Sequence, residues 1–292
     1  MPAWRRRLTG GLTVFIFHEV TDTPSGFHRA ARSYTSRGVF RAQVGWIAKR
    51  FEVIEATRLR QLGGSHALPP NAALITFDDS WAGTFRTALP ILREMAIPAI
   101  CFLNMGTVAG DPDLAAASNF LAVRGADPIE SRAPLDVVAG ERLVEEFRRE
   151  LGTDPAFLDY QGETATPEDL EAAVAAGNVW FGSHLYHHWR IPLIADDLFD
   201  STVARNAEAL SGYPNSIPAL ATPHGYPGEG GRDVHAIPAA RGIRIVFTGT
   251  GSQNTRTDTS ALDRVFFPAE PCDSSSWWYS THRRRALGPR TS

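Results

Sequence analysis

A short apolar run that ends in two adjacent carboxylates is the feature that most constrains this chain of 292 residues. Residues 71–80 read NAALITFDDS, and the pair Pro69-Pro70 stands just before them. An apolar run of this length, bounded by turn-forming residues, predicts a buried β-strand. Asp78 and Asp79 would then lie where the strand ends, the edge of parallel α/β folds that carries the chemistry. An acid pair at a turn is also typical of a solvated turn or a helix cap, so it decides nothing alone.

A second apolar run ends in a cluster of histidines. Residues 179–183 read VWFGS and lead directly into His184, with His187 and His188 following closely. If the segment forms a helical turn, His184 and His188 share one face because they are four residues apart, whereas His187 points elsewhere. Two imidazoles and one of the carboxylates would make a three-ligand metal site with open positions for water and substrate. The other carboxylate would then be free to act as a base.

These two stretches resemble motifs of the polysaccharide deacetylases, the NodB-homology group also called carbohydrate esterase family 4. The TFDD sequence that ends in Asp79 looks like the acid motif of that family, and the segment from His184 to His188 looks like its H-[ST]-x-x-H motif. The resemblance implies that Asp78 is the catalytic base and that Asp79, His184 and His188 bind the metal. It also implies the seven-stranded, distorted barrel of these enzymes.

The similarity extends beyond the two motifs, over about residues 10–105 and 178–268. The ATPHG sequence at 221–225 is similar to the A-Y-P-Y-G motif of one branch, with Thr and His in place of both Tyr. That motif supplies a backbone N–H to the oxyanion, which makes His224 the candidate donor. Weaker similarities lie in the first strand with its His-x-Val element and in two late elements, namely residues 12–20, 242–247 and 262–264.

This sequence departs from the family pattern at three places. Ala221 stands where many members have an Arg that orients the catalytic Asp, and Leu185 stands where the histidine motif has Ser or Thr. The late L-x-H motif that supplies the general acid is not recognisable. The leaving amine therefore has several candidate proton donors, none of which the sequence favours, namely His18, His187, His224 and His282.

The composition argues against several classes of partner. The formal net charge is −3, so a basic surface for nucleic acid is not expected. Two cysteines do not make a disulfide framework, and no apolar stretch approaches the length of a membrane span. These features favour a cytoplasmic protein, with peripheral attachment to a membrane as the alternative. They leave the oligomeric state open.

The order of the predicted elements indicates the fold class. Short apolar runs alternate with segments of helical periodicity, which predicts an α/β fold with a parallel sheet and right-handed crossovers. Together with the resemblance, this favours an incomplete, distorted (β/α)7 barrel. The predicted strands are residues 12–17, 51–54, 71–77, 97–103, 179–183, 216–221 and 243–247.

One segment breaks this alternation. We expect a catalytic domain over residues 8–270 and a tail over 271–292, and within the domain residues 104–178 form an inserted segment of helices and loops. The segment begins after one strand and returns directly into the strand that precedes His184. It could form a lid that shapes the substrate site, or it could pack on the outside of the barrel.

The predicted chemistry is the hydrolysis of an acetamide. A divalent metal would lower the pKa of bound water and polarise the carbonyl; zinc is expected first, with cobalt, nickel or iron as alternatives. The predicted substrate is an N-acetylated carbohydrate in a polysaccharide, a lipid-linked glycan or a glycoside precursor. Trp81, Trp189 and Pro223 are the expected substrate contacts.

Two other functions remain open. A hydrolase of another linear or cyclic amide would use the same chemistry on the same fold. A degenerate, non-catalytic sugar-binding domain is the alternative from a different class, and the missing general-acid motif favours it. The intact acid pair and histidine pair argue against it, because a binding module has no need of both a base and metal ligands.

Overall fold

Among the described residues, eight parallel strands follow one another in a sheet that curls almost into a closed barrel, and a ninth, short strand pairs at its side. The computed structural model describes residues 11–61, 68–69, 71–125, 134–225, 233–252, 254 and 260–267. The predicted tail at 271–292, and with it His282, lies outside the described residues. The eight strands are β1 (Leu12–Phe17), β5 (Ala72–Phe77), β6 (Ala99–Leu103), β7 (Val179–Ser183), β8 (Ser216–Ala221), β9 (Ile245–Thr248), β10 (Ala261–Asp263) and β11 (Val265–Phe266). Three short strands complete the set, namely β2 (Glu19–Val20), β3 (Tyr34–Thr35) and β4 (Glu52–Val53).

The barrel closes at a seam formed by two short strands that are almost continuous in sequence. The strand order is β10-β9-β8-β7-β6-β5-β1-β11, so β10 and β11 occupy opposite edges of the sheet. Only Arg264 separates them in the chain. The segment 261–266 therefore pairs with β9 through its first half and with β1 through its second half. If the segment 261–266 is counted as one strand, the barrel has seven strands. The predicted fold class is confirmed.

Alternation along the strands separates the barrel interior from the outer layer of helices. In β5, Ala72 and Leu74 pack with residues of β6, β8 and β9, whereas Ile75 and Phe77 pack against the outer helices. The inward positions of β5 are thus the even-numbered ones. Asp78 continues that series past the end of the strand, so it faces the top of the barrel.

Helices surround the sheet and fill the connections. They are α1 (Gly26–Ala31), α2 (Arg37–Ala48), α3 (Leu89–Glu94), α4 (Met105–Val108), α5 (Leu114–Val123), α6 (Val137–Glu150), α7 (Pro155–Gln161), α8 (Pro167–Ala176), α9 (Asp196–Leu210) and α10 (Ala236–Ala240). Helix α8 begins at a reciprocal capping box formed by Thr166 and Asp169. None of the described helices combines the length and apolar composition that a bilayer crossing requires.

The helical turn considered for residues 184–188 is not formed: the backbone there is irregular, and Leu185 has a positive φ of 64°. Residues 82–94 are helical, with a π-helical segment, Thr84–Ala88, that continues directly into α3. Pro90 lies in the first turn of α3, just after the π-helical segment.

Glu19 is a buried carboxyl group that fixes the chain beside the acid pair. Its Oε2 accepts the backbone N–H of Gly83 at 3.0 Å. A Cβ atom at Gly83 would lie 2.4 Å from Glu19 Oε1. The two segments of the chain can therefore approach each other only because position 83 has no side chain. Burial, partly opposed by the hydrogen bond from Gly83, raises the pKa of Glu19 to about 7.

The raised pKa of Glu19 predicts a pH-dependent effect on stability. Between about pH 4.5 and 7 the unfolded state ionises while the folded state keeps its proton, so burial of Glu19 costs progressively more as pH rises. Relative to wild type, the free energy of unfolding of Glu19→Gln should therefore increase by about 1–3 kcal/mol from pH 5 to pH 8. Denaturant titrations at several pH values measure it.

The exposed residue Glu52 provides the matched control. The free energy of unfolding of Glu52→Gln should stay within about 0.5 kcal/mol of the wild-type value over the same pH range, as for most surface substitutions. If the difference in free energy of unfolding between Glu19→Gln and wild type does not change with pH, the raised pKa of Glu19 is contradicted.

Candidate metal centre and active site

The acid pair lies on a turn with an unusual backbone conformation. Asp79 and Ser80 have φ values of 75° and 59°, a left-handed region that costs a residue with a side chain about 1–3 kcal/mol. Two hydrogen bonds hold the turn: Ser80 Oγ accepts the N–H of Asn104 at 2.9 Å, and the carbonyl of Ser80 accepts the N–H of Ala165 at 2.8 Å. Both partners belong to the segment 104–178.

The histidine loop is held by the same asparagine. The side-chain amide of Asn104 donates to the carbonyl of His184 and, at 3.0 Å, to that of Leu185. The Leu185 side chain is completely buried, which offsets part of the cost of its positive φ. Asn104 therefore joins the acid turn to the histidine loop, and it is itself fully buried.

The three predicted ligands lie together. One ligand atom from each of Asp79, His184 and His188 lies within 4.8 Å of the others. Asp79 Oδ1 is 3.2 Å from His184 Nε2 and 3.4 Å from His188 Nε2. The imidazole rings lie 5.1 Å apart between centroids. All three side chains are buried. The helical turn expected from the spacing is absent, but the irregular loop brings the same two imidazoles to the acid.

The donor set fits a divalent cation. His184 Nδ1 lies 2.8 Å from the carbonyl of Ala221, which places the proton on Nδ1 and leaves the lone pair of Nε2 facing Asp79. Asp79 Oδ1 and His188 Nε2 are buried, and neither has a hydrogen-bond partner. Buried polar atoms without partners are costly, and a cation with carboxylate and imidazole ligands would satisfy them all.

The second oxygen of Asp79 is held by Trp81. The indole Nε1–H donates to Asp79 Oδ2 at 3.3 Å, which turns the other oxygen toward the histidines. The ring of Trp81 is completely buried and packs edge-on against His28, at 4.5 Å between centroids. Trp81 therefore contacts the candidate ligand Asp79 on the side away from the histidines. The sequence alone did not reveal this contact.

Asp78 is held by an arginine that the sequence analysis did not identify. Arg264 Nη1 and Nη2 donate to the two oxygens of Asp78 at 2.6 and 2.8 Å, and the Arg264 side chain is fully buried. Burial alone would raise the pKa of Asp78, but the guanidinium of Arg264 and the charge of His184 lower it below its ordinary value. Arg264 thus keeps Asp78 ionised and orients its carboxylate. Ala221, which stands where many family members have an orienting Arg, has no side chain that could do this.

The remaining electrostatics favour negative carboxylates beside basic imidazoles. Burial opposes ionisation of Asp79, yet His188 and His18 hold the pKa of Asp79 well below its usual value. Burial also disfavours a charged His184, but Asp78 and Asp79 raise the pKa of that imidazole. Because Arg264 balances the charge of Asp78, the ionised Asp79 leaves a negative charge beside the imidazoles, which favours a cation.

A cavity of about 440 Å³ opens directly onto these groups. Its lining includes the acid pair and three histidines, namely Asp78, Asp79, His184, His188 and His224. Helix α5, from the segment 104–178, contributes Ala115 and Asn119. Aromatic and polar side chains complete the lining, among them His18, Phe27, Arg32, Tyr34 and Phe266. The cavity thus offers a mixed apolar and polar surface next to the candidate ligands, as small-molecule sites commonly do.

Other predicted site residues are distributed around this centre. The ring of His224 stacks on that of His188, at 4.6 Å between centroids, and Pro223 before it is buried. Trp189 is buried as well, and among the described residues neither tryptophan lines the 440 Å³ cavity. Substrate contact by Trp81, Trp189 and Pro223 stays a prediction. His187 turns away and its Nε2 lies 3.0 Å from Asp111 Oδ2.

Comparison with known proteins agrees with this geometry. A sequence profile described as polysaccharide deacetylase matches residues 65–233, which is more than half of the chain and contains both the acid pair and the histidines. The chain belongs to the polysaccharide deacetylase family. A search of curated proteins finds no match.

Solved structures share the fold of this family member. IcaB from Ammonifex degensii has a TM-score of 0.64 and 19% identity, covering 94% of this chain and 96% of its own. PplD from Streptococcus pyogenes, a deacetylase in complex with acetate, has a TM-score of 0.61 and 14% identity, covering 90% and 94%. A de-N-acetylase from Aggregatibacter actinomycetemcomitans has a TM-score of 0.60 and 12% identity, covering 92% and 99%. At these identities the likeness establishes the fold.

The paired geometry of Arg264 predicts that charge alone cannot replace it. Arg264→Lys keeps the positive charge but loses the planar fork that meets both oxygens of Asp78. Deacetylase turnover should fall about 10- to 100-fold, since small misplacements of a reacting group cost that much, while bound metal stays as in wild type. Kinetics and metal analysis of the purified variants measure both.

An exposed pair gives the matched control. Arg241 forms the same two-point contact with Asp200 on the surface, and Arg241→Lys should leave turnover within about twofold, because exposed pairs contribute little. Full turnover in Arg264→Lys would show that Asp78 needs only a nearby charge.

Proposed function

We propose that this chain is a divalent-metal-dependent deacetylase that removes N-acetyl groups from an amino sugar of a glycan. The observation that carries the proposal is the convergence of Asp79, His184 and His188 beside Asp78, itself held by Arg264, at one wall of a 440 Å³ cavity. Membership of the polysaccharide deacetylase family supports the same reaction class. Zinc is the metal proposed first, because two imidazoles and one carboxylate form a donor set that it favours.

Asp79, His184 and His188 would hold the cation through Oδ1 and the two Nε2 atoms. The bound cation supplies an activated water and polarises the acetyl carbonyl. Asp78 is ionised and lies against the same group, with its Oδ2 3.8 Å from His184 Nε2, so it can accept a proton from the attacking water. Arg264 fixes the direction of that carboxylate through both of its oxygens.

The developing oxyanion needs a second donor. His224 follows Pro223 after the end of β8, and its ring stacks on that of the candidate ligand His188. Its left-handed conformation, with φ of 59°, fixes the direction of the backbone N–H. We assign this N–H to the oxyanion, in the role that the family motif supplies.

Among the three candidates that the structure describes, His18 is the one we assign as general acid. It lines the cavity, it is partly exposed, and its Nε2 lies 3.8 Å from Asp79 Oδ2. Its ring stacks on that of Phe266, with an angle of 11° between planes, which limits its rotation. His187 is engaged with Asp111 away from the cavity. In this proposal His18 donates the proton that the leaving amine requires.

The segment 104–178 is proposed to shape glycan recognition. Ala115 and Asn119 on α5 line the cavity, as do Tyr34 and Arg32. Loops at the carboxyl ends of barrel strands set specificity without taking part in the chemistry. The acetate in the PplD structure agrees with release of an acetyl group as acetate.

The first experiment separates the base from the ligands. Asp78→Asn should keep about one metal ion per chain and lose turnover on N-acetylglucosamine oligomers by a factor of about 10²–10⁴, because only the proton acceptor is removed. Asp79→Asn should lose the metal as well. Metal analysis and detection of the freed amine measure both.

Each alternative has its own outcome. Metal loss in Asp78→Asn would make Asp78 a ligand. A wild-type protein that binds metal and glycan but never releases amine would support the sugar-binding domain instead. Turnover confined to small amides would support the other amide hydrolase.

A second experiment tests His18 as the acid. His18→Gln should lose turnover on N-acetylated oligosaccharides by about 10²-fold. It should keep most of its activity on 4-nitrophenyl acetate, because nitrophenolate leaves without a proton. His235→Gln, away from the cavity lining, is the control and should affect neither. Equal losses on both substrates would show that His18 does not act as the proton donor.

A further inference from the structure

A second buried carboxylate, Asp113, meets the candidate metal centre from the inserted segment. Asp113 caps the N-terminus of α5, where its Oδ1 accepts the N–H of Ala116 at 2.8 Å. Its own N–H donates to Gln161 Oε1 at 2.8 Å, so the backbone is fixed on both sides. The side chain is completely buried, and Oδ2 has no hydrogen-bond partner. A helix cap uses only one oxygen, so the cap leaves Oδ2 unexplained.

The free oxygen of Asp113 faces a candidate ligand. His188 Nδ1 lies 3.6 Å from Asp113 Oδ2, on the side of the ring away from Nε2 and Asp79. Both nitrogens of His188 are buried without a hydrogen-bond partner. If Nε2 gives its lone pair to a cation, Nδ1 carries the proton and requires an acceptor. Asp113 Oδ2 is a buried acceptor without a donor, and it lies next to this nitrogen.

We propose that Asp113 is a positioning residue of the metal centre, which accepts a hydrogen bond from Nδ1 of His188 and so directs Nε2 toward the cation. This inference rests on the proposed function. An approach of about 0.7 Å converts the 3.6 Å separation into an ordinary hydrogen bond. A carboxylate behind a ligating imidazole fixes the tautomer, orients the ring and increases the basicity of the ligand.

The charges of the centre agree with this role. The charge of Asp78 is matched by that of Arg264, through two direct hydrogen bonds. Burial raises the pKa of the remaining carboxyl group, Asp113, and a divalent cation between Asp79 and Asp113 would compensate the charge of both in their ionised form. A buried centre without net charge avoids the large cost of an uncompensated ion.

The test compares zinc affinities of apo proteins by competition with a chromophoric chelator. Asp113→Asn keeps an oxygen for the helix cap, because Asn caps as well as Asp, but it turns an amide N–H₂ toward His188. The dissociation constant for Zn²⁺ should increase about 10- to 100-fold, while the melting temperature of the apo protein stays within about 3 °C of the wild-type value.

Two control variants separate this role from general effects. Asp136→Asn makes the same change at the N-cap of α6, where Asp136 caps through Ala139. Asp111→Asn removes a buried carboxylate two residues away, whose partners are His187 and Arg148. Both should change the dissociation constant by less than about threefold. Zinc binding by Asp113→Asn as tight as in wild type would overturn the inference, as would an equal loss in Asp111→Asn.

A measurement on the wild-type protein keeps the inference testable if Asp113→Asn does not fold. Nitrogen NMR of ¹⁵N-histidine-labelled, zinc-loaded protein should show His188 protonated at Nδ1, with a proton protected from exchange. A proton on Nε2 of His188 would overturn the inference. Wild-type protein that binds no divalent cation would instead overturn the proposed function, and so the two failures are distinguishable.

Discussion

The ion pair between Asp78 and Arg264 is the interaction on which both the barrel and the site depend. Arg264 is the one residue between β10 and β11, which lie at opposite edges of the sheet. Its guanidinium reaches Asp78 at the end of β5. A fully buried arginine is costly unless it is paired, so closure of the barrel and ionisation of Asp78 stabilise each other. The strand seam thereby supplies a side chain to the candidate site.

A second constraint follows from backbone strain at the two motif loops. Asp79, Ser80 and Leu185 all have left-handed conformations, which their side chains make unfavourable. Asn104 opposes this strain at both loops at once, since it donates to Ser80 Oγ through its backbone and to the histidine loop through its side chain. Asn206 supports the same region by bonding Met105, Leu103 and Ser183. Strain of this kind persists only where surrounding contacts determine it.

The sequence was informative where local pattern and function coincide. The strand before Asp78 and the strand before His184 follow from short apolar runs, and their parallel pairing with a common edge follows from the alternation of elements. The meeting of His184 and His188 was expected from a helical turn that does not exist, so the spacing argument gave a correct proximity through an incorrect conformation. The positive φ of Leu185 has no signature in a single sequence.

Contacts across long separations could not be predicted in this way. Arg264 lies 186 residues from Asp78, and its residue type offers no periodicity or spacing that would connect the two. Asp113 stands before a helix, and one of its oxygens caps that helix. Pattern arguments capture the capping oxygen, while the second oxygen depends on tertiary packing alone.

The inserted segment supplies contacts that support the candidate site. Asn104 and Ala165, towards its two ends, bond the strained acid turn from both sides, and Asp113 approaches a candidate ligand between them. Two side chains that directly follow this carboxylate, Ala115 and Asn119, line the cavity. Exposed residues such as Val123 and Val138 lie farther along the same segment. A change of length is therefore tolerated best in the middle of the segment, where it leaves the supporting contacts in place.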